Sequence, residues 1–542
     1  MSKIITIPGF KGGKAKSTYD PLDKQTFQTS ENLDVFSSPN ILTPFIGLAN
    51  QVFSPDLSTS KVEMFYQASN GTTYWFGDSG TSQQIRIMRG SFPTTPGTIT
   101  LTTVGTGSSS TSPGYFDDGA NDLQGFHHVV ELNGYLLFWS GQTLSRIRLS
   151  DNTYEENPYT FTVTSNTGHA IFVHQGLRQA FIAVNNIVYR LDSADVSGSA
   201  APVAKLTIDP QYVVKSFCEM GRFVLVGCIA KKDNANSRIF VWDGAALTVD
   251  DEINVGDYGL QAIRNVNGTI HILCASVTVG FPQGYVRVYL STGGAVSLGA
   301  ELLITPGADN TSQGMKMINL IDDASVDVSG DKLFWAFRGK TQNVATGYLD
   351  IMNGVYCYGR FDQTQPRILV LNNTTSTTSA GRSFTCLRII RNLIYVAFND
   401  TATWYLEHQL ANTVFGTKSS RGIYESNIFP LNGGLPGKLK RIVINHLGIP
   451  TSCGFTVQIK QFGNYPWGNT VPSADSYQTL FTPEGNSATS GMTQSTDNAM
   501  ITEIQGNELF KESRFAQIKI LYDEVLTTTA PSIVFPILIE TI

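Results

Sequence analysis

Four groups of residues in this 542-residue chain carry side chains suited to chemistry. Gly77-Asp78-Ser79-Gly80 sets a serine between glycines, where an activated hydroxyl could attack a carbonyl. Such a nucleophile needs an aligned base and a third group to orient that base. No histidine stands in a matching context, so the run reads as a turn. His127-His128 and the pair His169 and His174 offer imidazoles for a metal. Adjacent strand residues point to opposite faces, as do residues five apart, so neither pair converges on one ion. With no third ligand signalled, they read as structural histidines. Asp322-Asp323, Asp327 and Asp331 place four carboxylates within ten residues, a possible Ca²⁺ loop. The ligand order of an EF-hand and its terminal Glu are missing, which favours a solvated acidic turn. No catalytic, cofactor-binding or metal-ligating residue is assigned, no cofactor is expected, and the chain is expected not to be an enzyme.

The elements around these residues are short, apolar and alternating. Phe126–Leu149, His169–Leu191 and Phe217–Trp242 each read as strand, tight turn, strand, turn, strand, with the period-two pattern of half- or fully buried β-structure. Hairpin turns are placed at Asn70-Gly71, Asn133-Gly134, Asn185-Asn186, Met220-Gly221, Asn267-Gly268, Gly330-Asp331 and Arg391-Asn392. Such dipeptides favour the φ > 0 backbone of type I′ and II′ turns. One unit of this kind leaves an apolar face uncovered, so a row of them must stack or circularise. The expected fold is all-β: a propeller-like array of six to eight blades over residues 56–418, after an N-terminal arm of residues 1–55. Beyond about Ser419 the texture changes. Lys438–Asn445, Phe455–Phe462, Phe515–Tyr522 and the apolar Ser532–Ile542 predict an antiparallel sandwich over residues 419–542. Ser91–Gln124 and Asn372–Gly381, rich in Ser and Thr, read as exposed loops.

Composition narrows the function. Charged residues make up 15% of the chain against an apolar 41%, well under the roughly 25% charge of ordinary soluble domains. The difference is made up by Ser, Thr, Asn, Gln and Gly, which suit strands and turns. Net charge is −6. The small basic clusters Lys11, Lys14, Lys16 and Lys438, Lys440, Arg441 read as ordinary solvated faces, not a nucleic-acid site. The opening residues lack the apolar core of a secretory signal, and no apolar run reaches the ~18 residues of a membrane helix. The product is therefore expected in a cytosol. Its six cysteines carry no metal spacing and read as buried thiols; Cys218 and Cys228, which flank a turn, could approach across a hairpin.

Glu31-Asn32-Leu33-Asp34-Val35, followed by Ser38-Pro39-Asn40-Ile41-Leu42-Thr43-Pro44, resembles the opening of virion proteins of tailed bacteriophages. Leu439-Lys440-Arg441-Ile442 and Phe515–Tyr522 are similar to the sandwich that ends such proteins. The order of arm, propeller and sandwich is similar to tail nozzle or hub proteins of short-tailed phages. The resemblance implies a virion tail component made in the host cytoplasm. It implies a homo-oligomeric ring, most simply a hexamer, that contacts adaptor or portal proteins and fibres. DNA would pass through during ejection without specific binding, and no catalytic residue is implied. The serine run fits the trypsin-like protease motif less well, since Thr81 stands where that motif has a second glycine. A receptor- or carbohydrate-binding tail protein is the alternative, with Trp75, Trp139 and Trp467 as possible sugar platforms.

Overall fold

The computed structural model describes residues 3–10, 13–14, 26–36, 38, 40–44, 47–50, 52–54, 61–78, 85–91, 98–107, 128–140, 143–161, 170–231, 236–257, 259–277, 284–292, 294–304, 321–342, 349–360, 363, 366–375, 382–400, 403–409, 422–447, 455–462, 478–479, 500–505, 513–522 and 532–542. Among the described residues the regular structure is strand, joined by two 3-10 turns, at Asp323–Ser325 and Leu431–Gly434. The all-β expectation is met. Contacts divide the chain into two compact units. One is Asn50–Gly339 with Ser379–His408; the other is Met1–Ala49 with Lys340–Thr378 and Gln409–Ile542.

The first unit is a β-propeller. Lys61–Gln67, Thr73–Asp78, Ile85–Gly90 and Thr102–Thr106 make an antiparallel four-stranded sheet, and four more such sheets follow over 129–155, 171–207, 212–254 and 260–304. The hairpin Val326–Ser329 with Lys332–Gln342 opens a sixth blade, and Arg382–Ile390, Leu393–Asp400 and Thr403–Gln409 run in a seventh. The first strands of blades 2 to 7 pack on one another in succession, and that of blade 7 returns to blade 1. Each core lies between neighbouring blades. Leu137, Trp139 and Leu144 of blade 2 meet Ile171, Val173 and Ile182 of blade 3. Phe181 of blade 3 meets Val226 and Trp242 of blade 4, with the Phe181 and Trp242 rings 5.3 Å apart and edge-on. One further core joins Phe65 and Trp75 of blade 1, Phe138 of blade 2 and Tyr395 of blade 7. The circle therefore closes at seven blades, within the expected six to eight. Each such fully buried side chain is worth ~1.5–3 kcal/mol, which is why an alternating repeat folds as a ring.

Six of the seven expected turns join the first and second strands of a blade; Asn185-Asn186 joins the second and third of blade 3. Asn133 (φ 49°) with Gly134 (φ 79°), and Asn267 (φ 48°) with Gly268 (φ 82°), take positive φ at both central positions, as a type I′ turn requires. The expected loop Ser91–Gln124 contains strands instead. Thr102–Thr106 is the outer strand of blade 1, and Thr98–Thr100 pairs in parallel with Val52–Ser54. Threonine is β-branched and fits a pleated half-exposed edge, so a Thr-rich composition did not mean loop here. Ile368–Thr374 likewise carries a strand into Asn372–Gly381.

The second unit gathers segments from three parts of the chain. One sheet takes β1 (Lys3–Ile7), β2 (Leu33–Asp34), β3 (Ile41–Pro44), β4 (Leu439–His446), β5 (Met500–Gln505) and β6 (Ile533–Thr541), in the order β2-β3-β6-β4-β5, with β1 also on β6. Another holds Thr26–Glu31, Ile423–Ser426, Phe455–Phe462 and Phe515–Tyr522 together with Leu349–Gly359 and Ile368–Thr374. Burial alternates along β4 and along Phe515–Tyr522, so each sheet turns an apolar face inward. The Tyr424 and Phe535 rings meet across the two at 5.5 Å. The expected terminal strands and their sandwich are present. Residues 1–49, read from the sequence as an arm, and 340–378, read as part of the repeat array, are built into this unit. The reason is pairing: Lys3–Ile7 runs antiparallel to Thr541–Ile537, a partner that local pattern cannot reveal.

Candidate functional site: an ion cluster on the propeller axis

The innermost strands carry a repeated irregularity. In blades 4, 5 and 7 the register slips once, five residues before the last paired residue, so Lys215, Gln261 and Thr385 are each one residue extra. A β-bulge bends its strand and re-aims a side chain. All three residues are polar and buried. Inner strands of neighbouring blades face one another around the axis, so these side chains enter a shared polar centre.

Asp323 sits in the middle of that centre. It lies in the 3-10 turn that precedes the inner strand of blade 6, where Asp322 Oδ1 accepts from Ala324 N. Its carboxylate accepts from Ser216 Oγ at 2.6 Å and from Arg264 Nη1 and Nη2 at 2.9 and 3.1 Å. Arg264 Nη2 also donates to the carbonyls of Asp323 and Val326, at 2.6 and 3.0 Å. Arg388 of blade 7 donates to Ala324 O at 2.9 Å, and Asp327 accepts from Ile389 N at 2.7 Å. Blades 4, 5, 6 and 7 are thus tied by one network. His128, just before the inner strand of blade 2, brings Nε2 to 3.7 Å from Asp323 Oδ2.

Burial sets the charge states. It pushes the His128 imidazole down to about 4, against the opposing pull of Asp323 and Asp322, so His128 is neutral at pH 7. It also pushes the Lys215 ammonium down to about 8, again opposed by Asp322 and Asp323. Burial alone would raise the Asp323 carboxyl, but Arg264, His128 and Ser216 bring it below its ordinary value. Lys215, Arg264 and Arg388 balance Asp322, Asp323 and Asp327. A buried carboxylate that accepts three side-chain hydrogen bonds is held as an anion but turned inward, so this cluster is suited to fastening blades, not to general acid–base work.

The sequence-singled residues fall as follows. Asp322 and Asp323 are buried, which corrects the expectation of a solvated acidic turn; the cationic partners are contributed by other blades and are remote in sequence. Gly77 and Asp78 end a strand of blade 1, and Ser79, Gly80, His127 and His169 lie outside the described residues. His174 is buried at the end of the inner strand of blade 3, where Leu177 N donates to its Nδ1 at 3.1 Å and Glu219 Oε1 lies 3.6 Å away. Trp75 and Trp139 are buried in inter-blade cores, so neither offers a sugar platform; Trp467 lies outside the described residues. Cys218, Cys228, Cys274, Cys357 and Cys386 are buried free thiols, and Cys218 faces Leu225, not Cys228, across its hairpin. Lys440 and Arg441 pair with Glu540. Among the described residues no group of three His, Cys, Asp or Glu side chains is arranged to hold a metal. Lys215, Arg264 and Arg388 were missed. Laying the repeats over one another at their turns would have found the two arginines, since Arg264, Arg388 and Asp327 each stand two residues before the last paired residue of an inner strand; Lys215 stands at a different position and shares no such signal.

On the rim, between blades 3 and 4, a cavity of about 310 Å³ is lined by Leu206, Tyr212, Phe240, Leu247, Arg238 and Glu252. Arg238 pairs with Glu252 and lies over the Tyr212 ring at 5.8 Å.

The fold and site define a seven-bladed propeller with a polar, ion-paired axis. No family model and no curated protein matches the chain. Solved structures similar to parts of it include the C-terminal WD40 domain of Sif2, at 10% identity over 67% of this chain and 98% of that one, TM-score 0.39. The Dos1 propeller shares 9% identity over 67% and 93%, TM-score 0.35. An exo-β-1,3-galactanase from Phanerochaete chrysosporium, solved with galactose, shares 8% over 91% and 99%, TM-score 0.27. At such identities and scores these likenesses carry no statement about activity.

Proposed function

We propose that this chain is a structural component of a bacteriophage tail, a nozzle or hub ring subunit forming part of the conduit for DNA ejection, and that it is not an enzyme. The observation that supports this reading most is the sheet in which the phage-like segments meet. Leu33–Asp34 and Ile41–Pro44 of the opening lie in one sheet with Leu439–His446 and Ile533–Thr541 of the close. A fold that pairs segments so distant in sequence, Ile41–Leu42 with Ile533–Val534, holds them against separation, which suits a part that is assembled once and then bears load. The propeller's own axis is occupied by the Asp323 cluster, so the conduit in this reading is the lumen of a ring of subunits, most simply six. A chain of net charge −6 without a basic stripe suits passage of DNA, because each neutralised phosphate adds affinity and slows transit. Its partners would be its own copies, adaptor- or portal-side proteins and fibres, in the virion tail. Electron microscopy of particles assembled without this protein tests the reading. Truncated or leaking tails are expected; complete, DNA-retaining tails would overturn it.

The rim cavity favours one second reading, a receptor- or carbohydrate-binding tail protein. Leu247, 77% exposed, supplies apolar surface there and Arg238 and Glu252 polar groups, a mixture that small-ligand sites use. Saturable binding of the purified chain to host surface glycans, lost in Arg238→Ala, would favour it over the conduit.

A further inference from the structure

Among the described residues, β1 and β5 are edge strands of the six-stranded sheet of the second unit, and they run in opposite directions. The pairings from β5 through β4 and β6 to β1 are antiparallel, so β5 and β6 run one way and β4 and β1 the other. Among the described residues, no strand pairs with the outer side of β1 or of β5. Edge strands in soluble proteins are normally shielded by proline, bulges or several charges. Strand β1 (KIITI) has no proline, one lysine and an unbroken register with β6. Large apolar side chains stand exposed on it and at the same end of the sheet. Ile4 is 63% exposed, Leu435 64% and Ile542 62%. Ile4 lies opposite Glu540, and Ile542 exchanges backbone hydrogen bonds of 2.8 and 2.9 Å with Lys438, three residues beyond Leu435. The three therefore border one corner of the sheet.

We propose that this edge receives β5 of a second copy of the chain, joining copies head to tail into a continuous sheet around a ring. This rests on the ring reading above and adds the contact that builds it. A second copy's β5 beside β1 restores antiparallel alternation, and each molecule then carries both halves of the contact. A heterologous contact of that kind generates a closed ring when its rotation closes. Backbone hydrogen bonds supply the pairing, as in other strand additions, and the corner of Ile4, Leu435 and Ile542 supplies the apolar anchor. The register is legible too. Gln505 lies opposite Arg441, Arg441 opposite Glu540, and Glu540 opposite Ile4, so an unstaggered continuation sets Gln505 of the next copy level with Ile4.

The test is native mass spectrometry of the purified full-length chain, with oxidation of Ile4→Cys/Gln505→Cys. The expected result is a ring in the wild type and a disulfide ladder ending at that ring in the double-cysteine chain, with none in either single variant. Ile4→Lys/Leu435→Lys, both at exposed positions, should raise the ring's apparent dissociation constant at least tenfold with the circular dichroism spectrum unchanged. A ring that neither cross-links nor responds to the lysines overturns this contact and leaves the ring reading standing. Cross-linked dimers from Ile4→Cys alone also overturn it, because the contact would be isologous. A wild type that stays monomeric overturns the ring reading, and this inference with it.

Discussion

Replacing Asp323 by alanine should destabilise the propeller strongly. The carboxylate accepts from Ser216 at 2.6 Å and from both terminal nitrogens of Arg264 at 2.9 and 3.1 Å. Its side chain is 6% exposed and that of Arg264 21%. After the change Arg264 keeps the carbonyls of residues 263, 323 and 326 and a 3.4 Å bond to Ser216 Oγ, all neutral partners, and its charge loses its paired carboxylate in a low-dielectric centre. Breaking a buried pair in this way costs ~3–5 kcal/mol. Arg264→Met should cost a similar amount, because it leaves the carboxylate stranded. The double change Asp323→Leu/Arg264→Met removes both charges and should recover most of the loss, with a coupling of at least ~2 kcal/mol. Urea denaturation followed by tryptophan fluorescence reads this out. Trp75, Trp139, Trp242 and Trp335 are all buried within the propeller unit; Trp467 belongs to the other unit, so the titration is run in a Trp467→Phe background to report the propeller alone. A loss below about 1 kcal/mol for Asp323→Ala, the value of an exposed pair, would refute the reasoning, as would a double variant no more stable than the sum of its parts.

Arg146 of blade 2 lies between the rings of Tyr135 and Tyr159, at 5.2 and 5.1 Å, and donates to Gly198 O of blade 3 at 2.7 Å. Arg146→Met should cost ~2–4 kcal/mol, from lost cation–π contact and unpaired carbonyls, read in the same urea titration. Burial holds His128 at about 4, below its ordinary 6.5. The folded protein therefore binds fewer protons than the unfolded chain between those values, so the stability is complete above pH 6.5 and falls as pH drops toward 4. The loss is ~3 kcal/mol at the acid end; His128→Gln should flatten the melting temperature against pH over that window, whereas Lys215, at about 8, acts only above it. A Cβ at Gly259 would stand 2.0 Å from Ala275 O, whereas at Gly198 the nearest atom is 3.4 Å away. Gly259→Ala should unfold blade 5 or render the chain insoluble, and Gly198→Ala should change stability by less than ~0.5 kcal/mol.

What could be read from the sequence was local. Asn133-Gly134 and Asn267-Gly268 announce their turns because few other residues tolerate the backbone those turns require, and the unbroken apolar run Phe223–Ala230 permits little but a buried strand. What could not be read depended on distant partners. Lys3–Ile7 has no pattern of its own and becomes a strand through Ile537–Thr541. Thr98–Thr106 is composed like a loop but is held as strand by the edges it meets. The axial cluster was half visible: Asp322 and Asp323 stood out as a carboxylate pair, yet their burial follows from Lys215, Arg264 and Arg388, each a lone cation in an apolar run of another blade. A bulge that re-aims Lys215 leaves no mark in composition.

The most direct test of the proposed function is cryo-electron microscopy of the intact virion tail. The expected result is a closed ring of this chain around the DNA path, most simply sixfold, with each seven-bladed propeller beside the lumen and its own axis filled by side chains. Absence of the chain from the virion, or a tail in which DNA runs along the propeller axis, would contradict it.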